Sequence, residues 1–214
     1  MNKNKKFVIA INREVGSGGH EIGEKIAGLL GVKFYDKAIV KELTKKFNLS
    51  VDELEEVRSS KFNWWNSFVE SYLNRYRIEE RFDIENPVAT TDNVFRVESE
   101  FLLKLAEDES CVIAGRSGFY IFRNHPNALK IFITCSKPKR IERMMEVRNM
   151  TEDEAVEAID KFDKGREAYP KKFPGRSRYD ARNYDLVINV TDMTEQQAVD
   201  LIMDYIGKSS KEDK

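Results

Sequence analysis

The chain has 214 residues, 41% of them apolar, 34% charged, with a formal net charge of -1. That balance is enough for one packed α/β domain and excludes a disordered chain. It also argues against a dedicated nucleic-acid binder, and the first apolar run is far too short for a membrane span.

The basic start, Met1 to Lys6, precedes only Phe7-Val8-Ile9-Ala10-Ile11. That run is too short for a signal-peptide core, so a cytoplasmic protein is expected. It reads instead as a buried strand, followed by the turn Gly16-Ser17-Gly18-Gly19 and a helix. The helix is expected to bury Ile22, Ile26, Ala27, Leu29 and Leu30, with Gly31 closing it. Val32 to Tyr35 reads as a second strand and about 36–47 as a polar helix. Ser50-Val-Asp-Glu53 has capping-box spacing.

Phe62, Trp64, Trp65, Phe68, Tyr72 and Tyr76 crowd the next stretch, with Asn86-Pro87 as a breaker. The aromatics fit packing within an insertion or against a second subunit, making a homodimer the candidate assembly. A base-stacking surface is the alternative.

Strand and helix then alternate. Cys111-Val-Ile-Ala114, Leu129-Lys-Ile-Phe-Ile133 and Leu186-Val-Ile-Asn-Val190 read as strands. Helices start at Ser136-Lys-Pro138 and at the capping boxes Thr151-Glu-Asp-Glu154 and Thr194-Glu-Gln-Gln197. The last two are expected to bury Ala155, Val156, Ile159 and Phe162, and Ala198, Leu201, Ile202, Tyr205 and Ile206. The order implies a mostly parallel sheet covered on both faces. Cys111 and Cys135 each sit in an apolar run and read as reduced thiols.

The glycine turn lies at the end of the first strand and the start of a helix, where unpaired amides and the helix dipole favour phosphate. By letters it matches neither G-x-G-x-x-G nor G-x-x-x-x-G-K-[ST]. Aligned on Gly18, the P-loop pattern puts Arg13 at its first glycine, Gly19 at its lysine and His20 at its Ser/Thr. His20 is either a partial substitute for the missing cation or a solvent-facing residue of the first helical turn.

Arg116 follows the third strand in Ala114-Gly115-Arg116-Ser117-Gly118, well placed for bidentate phosphate contact. Arg140 and Arg143 share a helix face at i, i+3. From Lys161 to Arg182 there are eight basic residues against three acidic ones, interrupted by Pro170, Pro174 and Gly175. This segment reads as a mobile basic lid over polyphosphate, or else as a solvated charged surface.

Five stretches in order carry a resemblance: Ile11 to Gly23, Phe34 to Lys37, Val112 to Arg116, Asp163 to Arg166 and Tyr184 to Asn189. They look like the cytidylate kinase-like proteins, a divergent branch of the nucleoside monophosphate kinases. The resemblance covers about 6–59 and 92–207 and is weak across 60–91. It implies a single P-loop kinase-like α/β domain, 1–214, with 60–91 as an acceptor-side insertion and 161–182 as lid.

It also implies transfer of phosphate from ATP, with Mg2+, to CMP or dCMP. Gly16, Ser17, Gly18 and Gly19, flanked by Arg13, His20 and Glu21, would hold the donor. Arg116 would meet the acceptor phosphate, with Asp36, Lys37 and Lys41 lining the acceptor side. Arg140, Arg143 and Arg166 would surround the transferring group, and Asp163 would orient the lid arginine. No nucleic acid or membrane is expected as partner.

The departures fall at charged positions. The P-loop lysine is Gly19, and an ungapped match puts Glu21 at the magnesium-binding Ser/Thr. Ala114 replaces the strand-end acid, and Ser117 the aspartate after the Gly-Arg pair. The arginine that the divergent branch carries after its glycine is here His20. Arg13, Arg116 and the lid arginines are candidate replacements for the lost charge. A non-catalytic nucleotide-binding regulator and a kinase of another small molecule are therefore the alternatives to an active cytidylate kinase.

Overall fold

A computed structural model describes residues 1–36, 92–172 and 176–209. The expected helix at 36–47, the Ser50–Glu53 box and the aromatic stretch 60–91 lie outside the described residues, apart from Asp36. So do Lys37 and Lys41.

Five parallel strands form one sheet in the order β2-β3-β1-β4-β5. They are β1 (Val8–Arg13), β2 (Lys33–Tyr35), β3 (Cys111–Ala114), β4 (Ala128–Thr134) and β5 (Leu186–Asn189). The helices are α1 (Gly19–Leu30), α2 (Asp92–Asp108), the single turn α3 (Gly118–Ile121), α4 (Lys137–Arg148), α5 (Glu152–Lys172) and α6 (Glu195–Ser209).

Successive strand residues point to opposite faces, so β1 feeds two cores. Ile9 and Ile11 pack with Ile22 and Ile26 of α1 and with Ala198, Val199, Ile202 and Ile206 of α6. Val8 and Ala10 face Phe101, Leu102 and Leu105 of α2, together with Tyr35 and Phe122. Leu29 and Leu201, expected inside, are exposed, because each lies just past the edge of its helix's apolar stripe. Val199 takes the core position on α6 instead.

Helix ends follow their local chemistry. Thr151 N–H donates to Glu154 Oε2 at 2.8 Å, and Glu154 N–H returns to Thr151 Oγ1. Thr194 and Gln197 make the same reciprocal pair at α6. Gly31, at φ 66°, closes α1, its N–H donating to Gly28 O and the next amide to Ala27 O. Both cysteines are free thiols.

Two boundaries moved, and both matter for the site. β1 runs past Ile11, because Asn12 and Arg13 keep register with Phe132 and Ile133 of β4. That holds Arg13 on the sheet's edge. The helix that opens at Thr151 runs on through Lys172, so the first part of the segment expected as a lid is helical despite Gly165 and Pro170. Contacts of Asp163 and Arg166 with the end of β1 offset those two breakers. Since β1 lies between β3 and β4, chain direction across the sheet reverses at its carboxyl end, the switch point where open α/β sheets bind ligands.

Candidate phosphoryl-transfer site

The glycine turn occupies that switch point. Gly16 and Gly18 have φ of 77° and 75°, a region side-chain-bearing residues avoid. A Cβ at Gly16 would also lie 2.8 Å from the Arg140 carbonyl oxygen. Ser17 Oγ donates to Glu14 O at 2.9 Å and closes the loop. Gly18 is the N-cap of α1 and offers no side-chain cap; the first intrahelical bond is Ile22 N–H to Gly18 O. The amides of the first turn are therefore left to a ligand, and the helix dipole favours an anion there.

Carboxylates fix the loop from below. Glu14 Oε2 accepts from Thr134 Oγ1 at 2.6 Å and from Cys135 N–H at 3.1 Å, tying the loop to β4. Asp163 of α5 accepts the Val15 N–H at 3.2 Å and is ion-paired with Arg140. Arg140, buried, also donates to Val15 O at 3.3 Å. Asp163 thus grips both Arg140 and the loop backbone. Arg143, one turn along α4, lies over Gly18 and pairs with Glu195 and, at 3.6 Å, with Glu21.

Three arginines converge at the end of β1. Arg166 donates to Arg13 O at 3.2 Å, and Arg178 donates to the same oxygen. Burial, then the Arg13 and Arg178 charges, push Arg166 well below the usual guanidinium range, with Asp163 opposing. Arg178 also stands 3.8 Å from Asp163 and over the rings of Phe132 and Tyr179. Its carbonyl accepts from Tyr184 Oη, which in turn accepts from Asn12 Nδ2. Such a cation cluster is pre-paid repulsion that an anion relieves.

Arg178 belongs to no motif and is not singled out by the sequence; its place directly before Tyr179 in the basic segment was the available signal. The other basic residues of 161–182 divide. Lys161, Lys164, Arg176 and Arg182 are exposed, Arg182 pairing with Asp180 at the surface. The local charge excess is thus partly a solvated face, and among the described side chains Arg166 and Arg178 are the members that turn inward.

Arg116 lies just past the end of β3, the strand beside β1. Gly115, Arg116 and Ser117 have φ of 85°, 52° and 56°, three consecutive left-handed residues. Holding the two non-glycines there costs roughly 1–2 kcal/mol each. The conformation aims Arg116 at Glu98 of α2, and the two form a buried ion pair. His20 is partly buried at the start of α1. Its ring meets Phe34 edge-on at 5.0 Å and its Nδ1 lies 4.0 Å from Asp36. Burial and the Arg13 charge hold its pKa below the ordinary value, against the pull of Asp36.

Beside the turn, between the N-termini of α4 and α6, opens a cavity of about 280 Å³. Its walls include Gly16, Ser17, Cys135, Arg143, Thr191 and Met193. It continues directly from the glycine turn and has the size of a small-ligand pocket.

A parallel 2-3-1-4-5 sheet with a glycine turn at its switch point and arginines above it defines a P-loop kinase-type α/β protein. Shikimate kinase from Bacteroides thetaiotaomicron shares this fold at 14% identity, with a TM-score of 0.50 over 94% of this chain and 98% of that one. An uncharacterized protein from Eubacterium ventriosum ATCC 27560 is nearer in shape, with a TM-score of 0.69 at 26% identity over 94% and 98% of the two chains.

The model of the cytidylate kinase-like family matches residues 8–192, and the chain belongs to that family. It is 28% identical to a cytidylate kinase of Caldanaerobacter subterraneus subsp. tengcongensis over 95% of this chain and 96% of that one. It is 20% identical to one of Sulfolobus acidocaldarius over 94% and 95%.

Proposed function

We propose that this protein transfers the terminal phosphoryl group of ATP to CMP or dCMP. The observation that carries the reading is the convergence of Arg166 and Arg178 on the backbone carbonyl of Arg13, which adds two guanidinium groups to that of Arg13 beside the glycine turn. Phosphoryl transfer asks little of a protein beyond positioning and neutralising charge, and these groups supply both.

In this reading the amides of Gly16 to Glu21 hold the donor phosphates, and the adjoining cavity takes the donor's base. Arg166 and Arg178 stabilise charge on the transferring group. Arg143 borders the donor side over Gly18, and Arg140 with Asp163 positions the loop. Arg116 leaves Glu98 for the acceptor phosphate, near Asp36.

Among the described residues, a protein-built magnesium cage does not fit. Glu14 and Asp163 are committed to loop and arginine contacts, Glu21 faces Arg143, and β3 ends in the apolar Ala114. No group of three or more potential ligands occurs among the described residues. Magnesium therefore enters as part of the nucleotide substrate, held by phosphates and water.

Ala114 also favours a second reading, a nucleotide-binding regulator without turnover. Incubating the purified protein with ATP, magnesium and each nucleoside monophosphate separates the two. Production of ADP with CMP or dCMP is expected. ATP binding without turnover on any monophosphate would leave the regulator.

A further inference from the structure

The lysine of a P-loop projects from the first residue of the helix and meets the β- and γ-phosphates. This chain has Gly19 there, and the pattern's opening glycine is Arg13. The two departures are coupled in space. A Cβ built on Gly19 would lie 2.6 Å from Arg13 Cβ and 3.0 Å from its Cγ, closer than real side chains approach. The loop has room for a side chain at position 13 or at position 19, not at both.

The far end of Arg13 meets a second glycine. A Cβ on Gly115, itself at φ 85°, would lie 2.6 Å from Arg13 Nη1. The arginine therefore crosses from the end of β1, over the start of α1, to the end of β3. Its Nε is sealed from solvent with no hydrogen-bond partner among the described residues. Among the described residues its opposing charges of note are Asp36 and Glu21, and Arg178 repels it. Burial lowers its pKa to about 10, which leaves it charged at neutral pH.

We propose that positions 13 and 19 have exchanged roles: Arg13 supplies from the strand the cation that a lysine supplies from the helix, and Gly19 and Gly115 are glycine to let it lie across the loop. The guanidinium meets the donor's β- and γ-phosphates from the strand side, and its planar fork allows two contacts where an ammonium offers one point charge. This rests on the donor site proposed above and assigns the missing charge within it.

The test is direct binding of MgATP, and of inorganic tripolyphosphate, to the full chain by calorimetry, with melting temperatures recorded alongside. Arg13→Met should fold and melt no lower than wild type, since it removes a buried charge. It should bind both ligands about 10- to 100-fold more weakly, the loss expected for one charge-assisted contact. Gly19→Lys alone should melt lower and bind no better, for want of space. The double variant Arg13→Gly/Gly19→Lys should regain most of the wild-type affinity.

Wild-type affinity in Arg13→Met, or tight binding and normal melting in Gly19→Lys alone, would overturn the exchange while leaving the donor site standing. A wild-type protein that binds neither ligand would overturn the donor site, and the exchange with it. If the double variant does not fold, Arg13→Lys against Arg13→Met decides: a lysine that binds no better than methionine refutes a role for charge at position 13.

Discussion

Arg166 stands in a crowd of like charge, beside Arg13 and Arg178, with Asp163 as the opposing acid. Replacing such a buried charge with an apolar side chain of similar length commonly stabilises a protein, by about 1–3 kcal/mol. Arg166→Met should therefore raise the melting temperature measured without nucleotide, while lowering turnover by about three orders of magnitude, the scale of a transition-state arginine. A variant that melts lower and turns over normally would make Arg166 a structural residue.

His20 gives an opposite kind of signature. Its folded pKa lies below the ordinary value of 6.5, so the unfolded chain takes up the proton first. Stability is whole above that value and falls as pH drops from it toward the lower folded pKa. The other histidine of the chain, His125, is shifted the same way. His20→Asn should remove part of the acid loss, read as a smaller fall in melting temperature between pH 7.5 and 5.5. At this scale the sequence showed the turn glycines and Arg116, because each sits at a strand end beside glycine. It did not show that His20 turns toward Phe34 and Asp36, since nothing local decides between two ways out of a helix's first turn.

The elements were legible where pattern and chemistry agreed. The capping boxes at Thr151 and Thr194 formed as spaced, and Cys111–Ala114 is a strand with the expected bounds. The misses have physical causes. β1 extends over polar Asn12 and Arg13 because β4 offers backbone partners, which a hydrophobic run cannot reveal. α5 passes Gly165 and Pro170 because side chains from its inner face grip β1. The α6 cap also has functional reach. Thr194 fixes the turn that presents Glu195, which holds Arg143 and, at 2.8 Å, Lys25. Thr194→Ala should cost about 1 kcal/mol of stability. It should raise the KM for the nucleotide donor more than it lowers kcat, because Arg143 borders the proposed donor site. An unchanged KM would detach the cap from the site.

Across the whole molecule, strand order explains why distant residues share one site. With β1 between β3 and β4, the carboxyl ends of these strands bring together Arg13, Gly115 and Glu14 with Thr134. α5 then lays Asp163 and Arg166 across them. Alternation of strand and helix made the parallel sheet readable, but the order 2-3-1-4-5 is a long-range pairing that no local pattern encodes. The family relation and the fold establish a kinase-like scaffold.

The most direct test is transfer of labelled γ-phosphate from MgATP to CMP and dCMP by the purified chain, with both products quantified. Labelled CDP or dCDP is expected in equal amount to ADP, and is lost in Arg166→Met. ADP without a labelled nucleotide diphosphate, or no ADP at all from a protein that binds ATP, would contradict it.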